Sequence, residues 1–172
     1  MSFDQSILID LSEKYRKGLY EQKRVGSIIG HSNNAFLCHS HLDKVLVEGL
    51  LQLFKDEGVE LYVDWMDESL PDTPDRTTAN MIQKKIESYK YLLYLATENS
   101  SKSIWCPWEI GFADGKQKEI IIIQTSKNGP IYGQEYLQLY SRIDIGFTPD
   151  NRAILGLFEI GKEGKALSNI RF

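Results

Sequence analysis

Residues Ser103-Ile104-Trp105-Cys106-Pro107-Trp108-Glu109-Ile110-Gly111 put one carboxylate among two indoles, a thiol and a proline. A glutamate held beside aromatic faces at a helix start suits a cationic or sugar-like ligand. A structural reading fits the same spacing. Pro107 favours the first helical position and disfavours helical geometry at Cys106, which makes Cys106 an N-cap and Glu109 the third helical residue, reaching back as in a capping box. Spacing leaves both readings open.

Other chemistry-bearing residues are sparser. His39 and His41 with Cys38 and Cys106 raise the question of a zinc site, but Cys38 and His39 point to opposite faces of a strand and no pair has ligand spacing. No metal is expected. Cys38 reads as core, and His39 and His41 as partly exposed groups at a strand end. Asp67, Glu68, Asp72 and Asp75 read as solvent-facing loop charges. Asp64 differs because it closes a buried strand beside Trp65, where a local hydrogen bond and a ligand contact are equally good explanations.

The elements that must position these residues alternate. Ala35-Phe36-Leu37-Cys38 is a first strand. Ser40 and Asp43 then precede Val45, Leu46, Leu50, Leu53 and Phe54, whose spacing of three and four marks an amphipathic helix closed by Gly58. Residues 59–65 read as a second strand. Residues 66–75 hold two prolines and four carboxylates and read as a long solvated loop, after which Thr77 or Thr78 caps a helix burying Met81, Ile82, Ile86 and Tyr89. A third strand at 91–97 leads through Glu98-Asn99 to the helix of Glu109 and Phe112, which ends near Gly115 or Lys116. A very apolar fourth strand follows at 119–125, and 143–147 form a fifth. Pro149 is expected to open a last helix burying Ile154, Leu157 and Phe158. Residues 1–34 stand apart, with a helix from Asp4 to about Glu21 and a turn-rich join at Gly26, Gly30 and Asn33-Asn34. The expected division is an N-terminal helical extension, 1–34, and one domain, 35–172.

Alternating strands and helices predict a parallel sheet covered on both faces, with ligands at the carboxyl ends of its strands. That edge gathers His39-Ser40-His41, Trp65 to Asp67, Glu98-Asn99 and the helix start bearing Trp105 and Glu109. Composition narrows the partners. With 172 residues the chain holds one core, and 24 acidic against 20 basic residues give a formal charge of -4 with no dense basic stripe, so nucleic acid is not an expected partner. No apolar run approaches the roughly 20 residues of a membrane helix, and no secretory signal opens the chain. A cytoplasmic protein with two reduced thiols and no membrane partner is expected. A dinucleotide fingerprint is missing after the first strand, Gly111 to Lys116 is not a P-loop, and the acidic pair of a phosphoacceptor receiver is absent.

Taken in order, Ala35-Phe36-Leu37-Cys38-His39-Ser40 with Asp43-Lys44, Tyr62-Val63-Asp64, the proline-bearing loop and Ser103-x-Trp-Cys-Pro-Trp-Glu109 resemble the bacterial branch of the TIR domain family over roughly residues 35–147. The resemblance implies an α/β, flavodoxin-like three-layer fold of about five parallel strands. For many members it also implies cleavage of the nicotinamide bond of NAD+, which is a substrate, with no cofactor required. It gives the catalytic role to Glu109, places Trp105 beside the dinucleotide, and adds Phe36, His39, Ser40, Asp64 and Trp65 as binding positions. The chain departs from the pattern in its Leu-Cys-His-Ser motif, in a loop without the common Pro-Gly, and in residues 1–34.

In NAD+ the nicotinamide leaves as a neutral molecule, so the barrier lies in forming an oxocarbenium-like ribose that one carboxylate stabilises. Excluding water turns the outcome from hydrolysis to a cyclic ADP-ribose isomer or base exchange. The chain resembles the stand-alone TIR proteins of antiphage defence systems such as Thoeris, which implies self-association through TIR contacts and a separate effector that senses the product. Two competing readings remain: a non-catalytic interaction module, and an enzyme resembling nucleoside deoxyribosyltransferases.

Overall fold

The computed structural model describes residues 2–25, 35–66, 75–147 and 153–167. Within them the chain runs β1 (Phe3–Asp4), α1 (Gln5–Val25), β2 (Ala35–Cys38), α2 (Lys44–Asp56), β3 (Leu61–Tyr62), α3 (Arg76–Ser88), β4 (Tyr91–Ala96), α4 (Glu98–Ser101), α5 (Trp105–Gly115), β5 (Glu119–Ser126), β6 (Ile131–Tyr132), β7 (Ser141–Phe147), β8 (Ala153–Phe158) and β9 (Lys165–Ala166). The sheet order is β3-β2-β4-β5-β7-β8-β9, and its first five strands are mutually parallel. That is the order of a flavodoxin-like fold.

Strand alternation decides where the two cores sit. Phe36, Cys38, Leu92, Tyr94, Ala96, Ile120 and Ile122 face the side covered by Ile82 and Ile86 of α3 and by Cys106, Ile110 and Ala113 of α5. Ala35, Leu37, Leu93, Leu95, Ile121 and Ile123 face the side covered by α2 and by Leu8 of α1. A sheet buried on both faces explains why these strands are apolar throughout.

Several local expectations change. The predicted second strand, 59–65, pairs only at Leu61 and Tyr62, because the Asp64 carboxylate accepts the Trp65 backbone N–H at 2.7 Å and turns Asp64–Met66 into a 3₁₀ helix. Asp75, not Thr77 or Thr78, caps α3, and Thr78 supplies the other half of the capping box. The expected last helix is the strand β8, antiparallel to β7 with Ile143 opposite Leu157 and Ile145 opposite Leu155. Its buried side chains, Leu155 and Leu157, recur every second position, and Phe158 covers Gly156, where a Cβ would lie 2.9 Å from that ring. Pro149, the acids Asp67, Glu68 and Asp72, and the Gly26 to Asn34 join lie outside the described residues.

The N-terminal segment is packed onto the domain. β1 adds to β5 in parallel, and Gln5 donates to the Thr125 hydroxyl at 2.9 Å in a buried contact. α1 then crosses α2 so closely that a Cβ built on Gly49 would lie 1.8 Å from the Leu8 carbonyl oxygen. Only glycine permits that approach. Gly49→Ala should therefore force the two backbones apart, costing about 2–3 kcal/mol and lowering Tm by ~5–10 °C, which thermal unfolding measures directly.

Candidate active site

β2 and β4 are neighbours whose following helices leave on opposite faces of the sheet, so the crevice beyond their carboxyl ends is a topological switch point. The crevice is cross-linked by Asp43, which is buried and makes no side-chain cap to α2. Its carboxylate accepts from the Thr97 hydroxyl at 2.5 Å and from the Asn99 amide at 2.6 Å. Thr97 in turn caps α4, forming a capping box with Ser100, whose hydroxyl is 3.0 Å from the Tyr94 hydroxyl. Spacing marks Asp43 only as a helix-start residue. Its partners lie 54 and 56 positions away and are out of reach of any local pattern.

α5 begins at Trp105, two residues before the expected start. The Ser103 hydroxyl accepts the N–H groups of Trp105 and Cys106 at 3.1 and 3.3 Å, so Pro107 falls inside the first turn, where a missing N–H is harmless. Glu109 is then the fifth helical residue and cannot close a capping box, which removes the structural reading of its spacing. It points into the sheet instead. Its side chain is buried with the residue only 5 % exposed, against the Cys38 thiol. Burial pushes the Glu109 carboxyl well above the usual carboxylate range; Cys106 and Asp64 push the same way, and the Cys38 hydrogen bond opposes them. Burial and the contact with Cys106 also raise the Cys38 thiol.

A second cluster lies beside the first. Asp64 sits between two imidazoles, 3.0 Å from Nε2 of His39 and 3.3 Å from Nε2 of His41. Burial acts to raise the Asp64 carboxyl, but both imidazoles and the Trp65 N–H outweigh it and hold it below its ordinary value. Trp65 packs edge-on against the His39 ring, with centroids 4.4 Å apart. His39 is fully buried, contrary to the partly exposed position expected from sequence, whereas His41 is exposed. The Cys106 thiol lies 3.4 Å from the His39 carbonyl, tying α5 to the end of β2.

The remaining expected site residues divide. Trp105 meets Trp108 edge to face at 5.4 Å, and both line a groove of about 370 Å³ together with Ile104 of the α5 approach and Arg76, Ala79, Asn80 and Gln83 of α3. Ser40 spends its hydroxyl on the Leu42 N–H at 3.3 Å. Phe36 is stacked on Tyr62 and 1 % exposed, so it backs the site from within the core. Among the described residues, no group of three or more His, Cys, Asp or Glu side chains is arranged to hold a metal. Within the same limits, no helix is long and apolar enough to cross a membrane.

The burial of Glu109 has a sign that can be measured. A carboxyl whose folded-state pKa is raised gives stability that is present at acid pH and is lost as pH rises through the folded value. Glutamine carries no such loss. The stability of Glu109→Gln relative to the unaltered protein should therefore grow as pH rises above the ordinary carboxylate range, whereas a difference independent of pH would place Glu109 in water.

The chain matches the TIR domain family over residues 35–153. It is 37% identical over 116 residues to a Bacillus cereus (strain MSX-D12) protein named "Probable 3' cyclic ADP-D-ribose synthase ThsB'", covering 64% of this chain and 60% of that protein. It is 22% identical over 121 residues to a Cytobacillus dafuensis protein named "Putative cyclic ADP-D-ribose synthase TIR2", covering 69% of this chain and 30% of that one. The match thus spans less than two thirds of the length of either relative. With the sheet order, the switch-point crevice and the Trp105 to Glu109 helix start in place, the family match over more than half of its length makes this chain a member of the TIR domain family.

Proposed function

We propose that this protein cleaves NAD+, releasing nicotinamide and yielding a cyclic ADP-ribose isomer or ADP-ribose as a signal in bacterial antiphage defence. The observation that carries the reading is the dry Glu109 carboxyl at the switch point. The names of the two relatives, both cyclic ADP-D-ribose synthases, support the product class.

Glu109 is the catalytic residue. A cationic nicotinamide nucleoside entering beside it favours the ionised carboxyl, so binding and proton release are coupled. As the glycosidic bond breaks, the electron pair leaves with nicotinamide and the positive charge moves to the ribose, where the carboxylate remains to stabilise it. Low local polarity strengthens that attraction and keeps water from the cation. Trp105 and Trp65 supply apolar walls, His39, Ser40 and Asp64 surround the ribose, and Phe36 backs them. NAD+ is the substrate and no cofactor takes part. The reading includes a cytoplasmic location, self-association through TIR contacts and a separate effector that senses the product.

An interaction module has no use for a buried glutamate, which costs stability once ionised. That favours the enzyme. Incubating the purified full chain with NAD+ and separating products by chromatography should show nicotinamide release that falls about a hundredfold or more in Glu109→Gln. Equal release from both proteins would remove Glu109 from the chemistry.

A further inference from the structure

His39 is a buried imidazole, and neither of its ring nitrogens has a hydrogen-bond partner among the described residues. Nε2 lies at ion-pair distance from the Asp64 carboxylate, 3.0 Å, without hydrogen-bond geometry, and Nδ1 has no partner of either kind among the described residues. Leaving a buried ring nitrogen without a partner is unfavourable unless a ligand group supplies one. Everything around the ring fixes it: Trp65 against its face, His41 at 5.7 Å, and Cys106 at its own carbonyl. The Cys106 thiol reaches the His39 carbonyl and Glu109 packs beside Cys38, the residue before His39, so the two clusters adjoin.

Cyclisation needs something that Glu109 does not provide. If the ribosyl cation is captured by a ribose hydroxyl, as a linkage to the 3′ position requires, that hydroxyl must lose a proton as its oxygen bonds to the anomeric carbon. We infer that His39 is the general base of this capture, with Asp64 as its positioning residue and Nδ1 as the atom that accepts the proton. This rests on the NAD+-cleaving reading given above. The bond between the anomeric carbon and the nicotinamide nitrogen breaks, and its electron pair leaves with nicotinamide. The oxygen-to-carbon bond then forms, and the hydroxyl proton passes to Nδ1. The resulting imidazolium faces Asp64 and later returns the proton to solvent. Nε2 faces Asp64, so Nδ1 is the ring atom left to take the proton, and the imidazolium then formed pairs with the carboxylate. A carboxylate beside an imidazole stabilises the imidazolium that forms when the ring takes a proton.

The test is the partition of product, not the rate alone. The full chain, His39→Gln, His39→Ala and Asp64→Asn are incubated with NAD+, and cyclic product, ADP-ribose and nicotinamide are each quantified. The inference expects the cyclic fraction per nicotinamide released to fall at least tenfold in both His39 variants and to fall in Asp64→Asn, with added imidazole restoring it in His39→Ala. A structural role alone would lower all products together and would not respond to imidazole. An unchanged cyclic fraction in the His39 variants, or only ADP-ribose from the unaltered protein, overturns the inference and leaves NAD+ cleavage standing. No nicotinamide from the unaltered protein overturns the cleavage reading itself.

Discussion

A carboxyl group kept dry at the carboxyl ends of two adjacent parallel strands is the constraint on which this site depends. Glu109 is held in that position against Cys38. Burial of an acid is expensive, and that cost is what pushes the Glu109 carboxyl above its usual range. The same dryness that raises the carboxyl makes it effective once ionised, because its field is not screened by water.

Three devices keep the crevice in shape. The Ser103 hydroxyl starts α5 early enough that its fifth residue, Glu109, faces inward. Asp43 joins the turn after β2 to the turn after β4 through Thr97 and Asn99, fixing the two loops that diverge at the switch point. The local bond from Asp64 to the Trp65 N–H stops β3 after two residues and delivers both side chains to the His39 imidazole. Each device uses a short polar side chain: Ser103 to start a helix, Asp43 to join two turns and Asp64 to end a strand. α1 is part of the support, since its contact at Gly49 braces the helix that follows β2.

Much of this was legible in the sequence. Apolar runs placed β2, β4 and β5, and the order of strand, loop and helix put Trp105 and Glu109 at the ligand edge. Local signals were weaker where two periods compete: Ala153–Phe158 is apolar enough for either a helix or a strand, and pairing with β7 decides it. Pro107 misled the helix start because proline is tolerated throughout the first turn, and Ser103, four residues earlier, decides it. The burial of Phe36 and His39, the Asp43 bridge and the sharing of Asp64 by two imidazoles are tertiary facts. Their partners are separated by tens of residues, and no spacing rule reaches that far.

The titration of Glu109 can be read directly. Carbon-13 NMR of the protein labelled at glutamate carboxyl carbons, assigned by comparison with Glu109→Gln, follows the Glu109 titration in the free protein and with a non-cleavable NAD+ analogue. Glu109 should titrate well above the usual carboxylate range when free and move down when the cationic analogue binds. A Glu109 that titrates in the ordinary carboxylate range, and does not respond to the analogue, would contradict a dry carboxyl at the switch point.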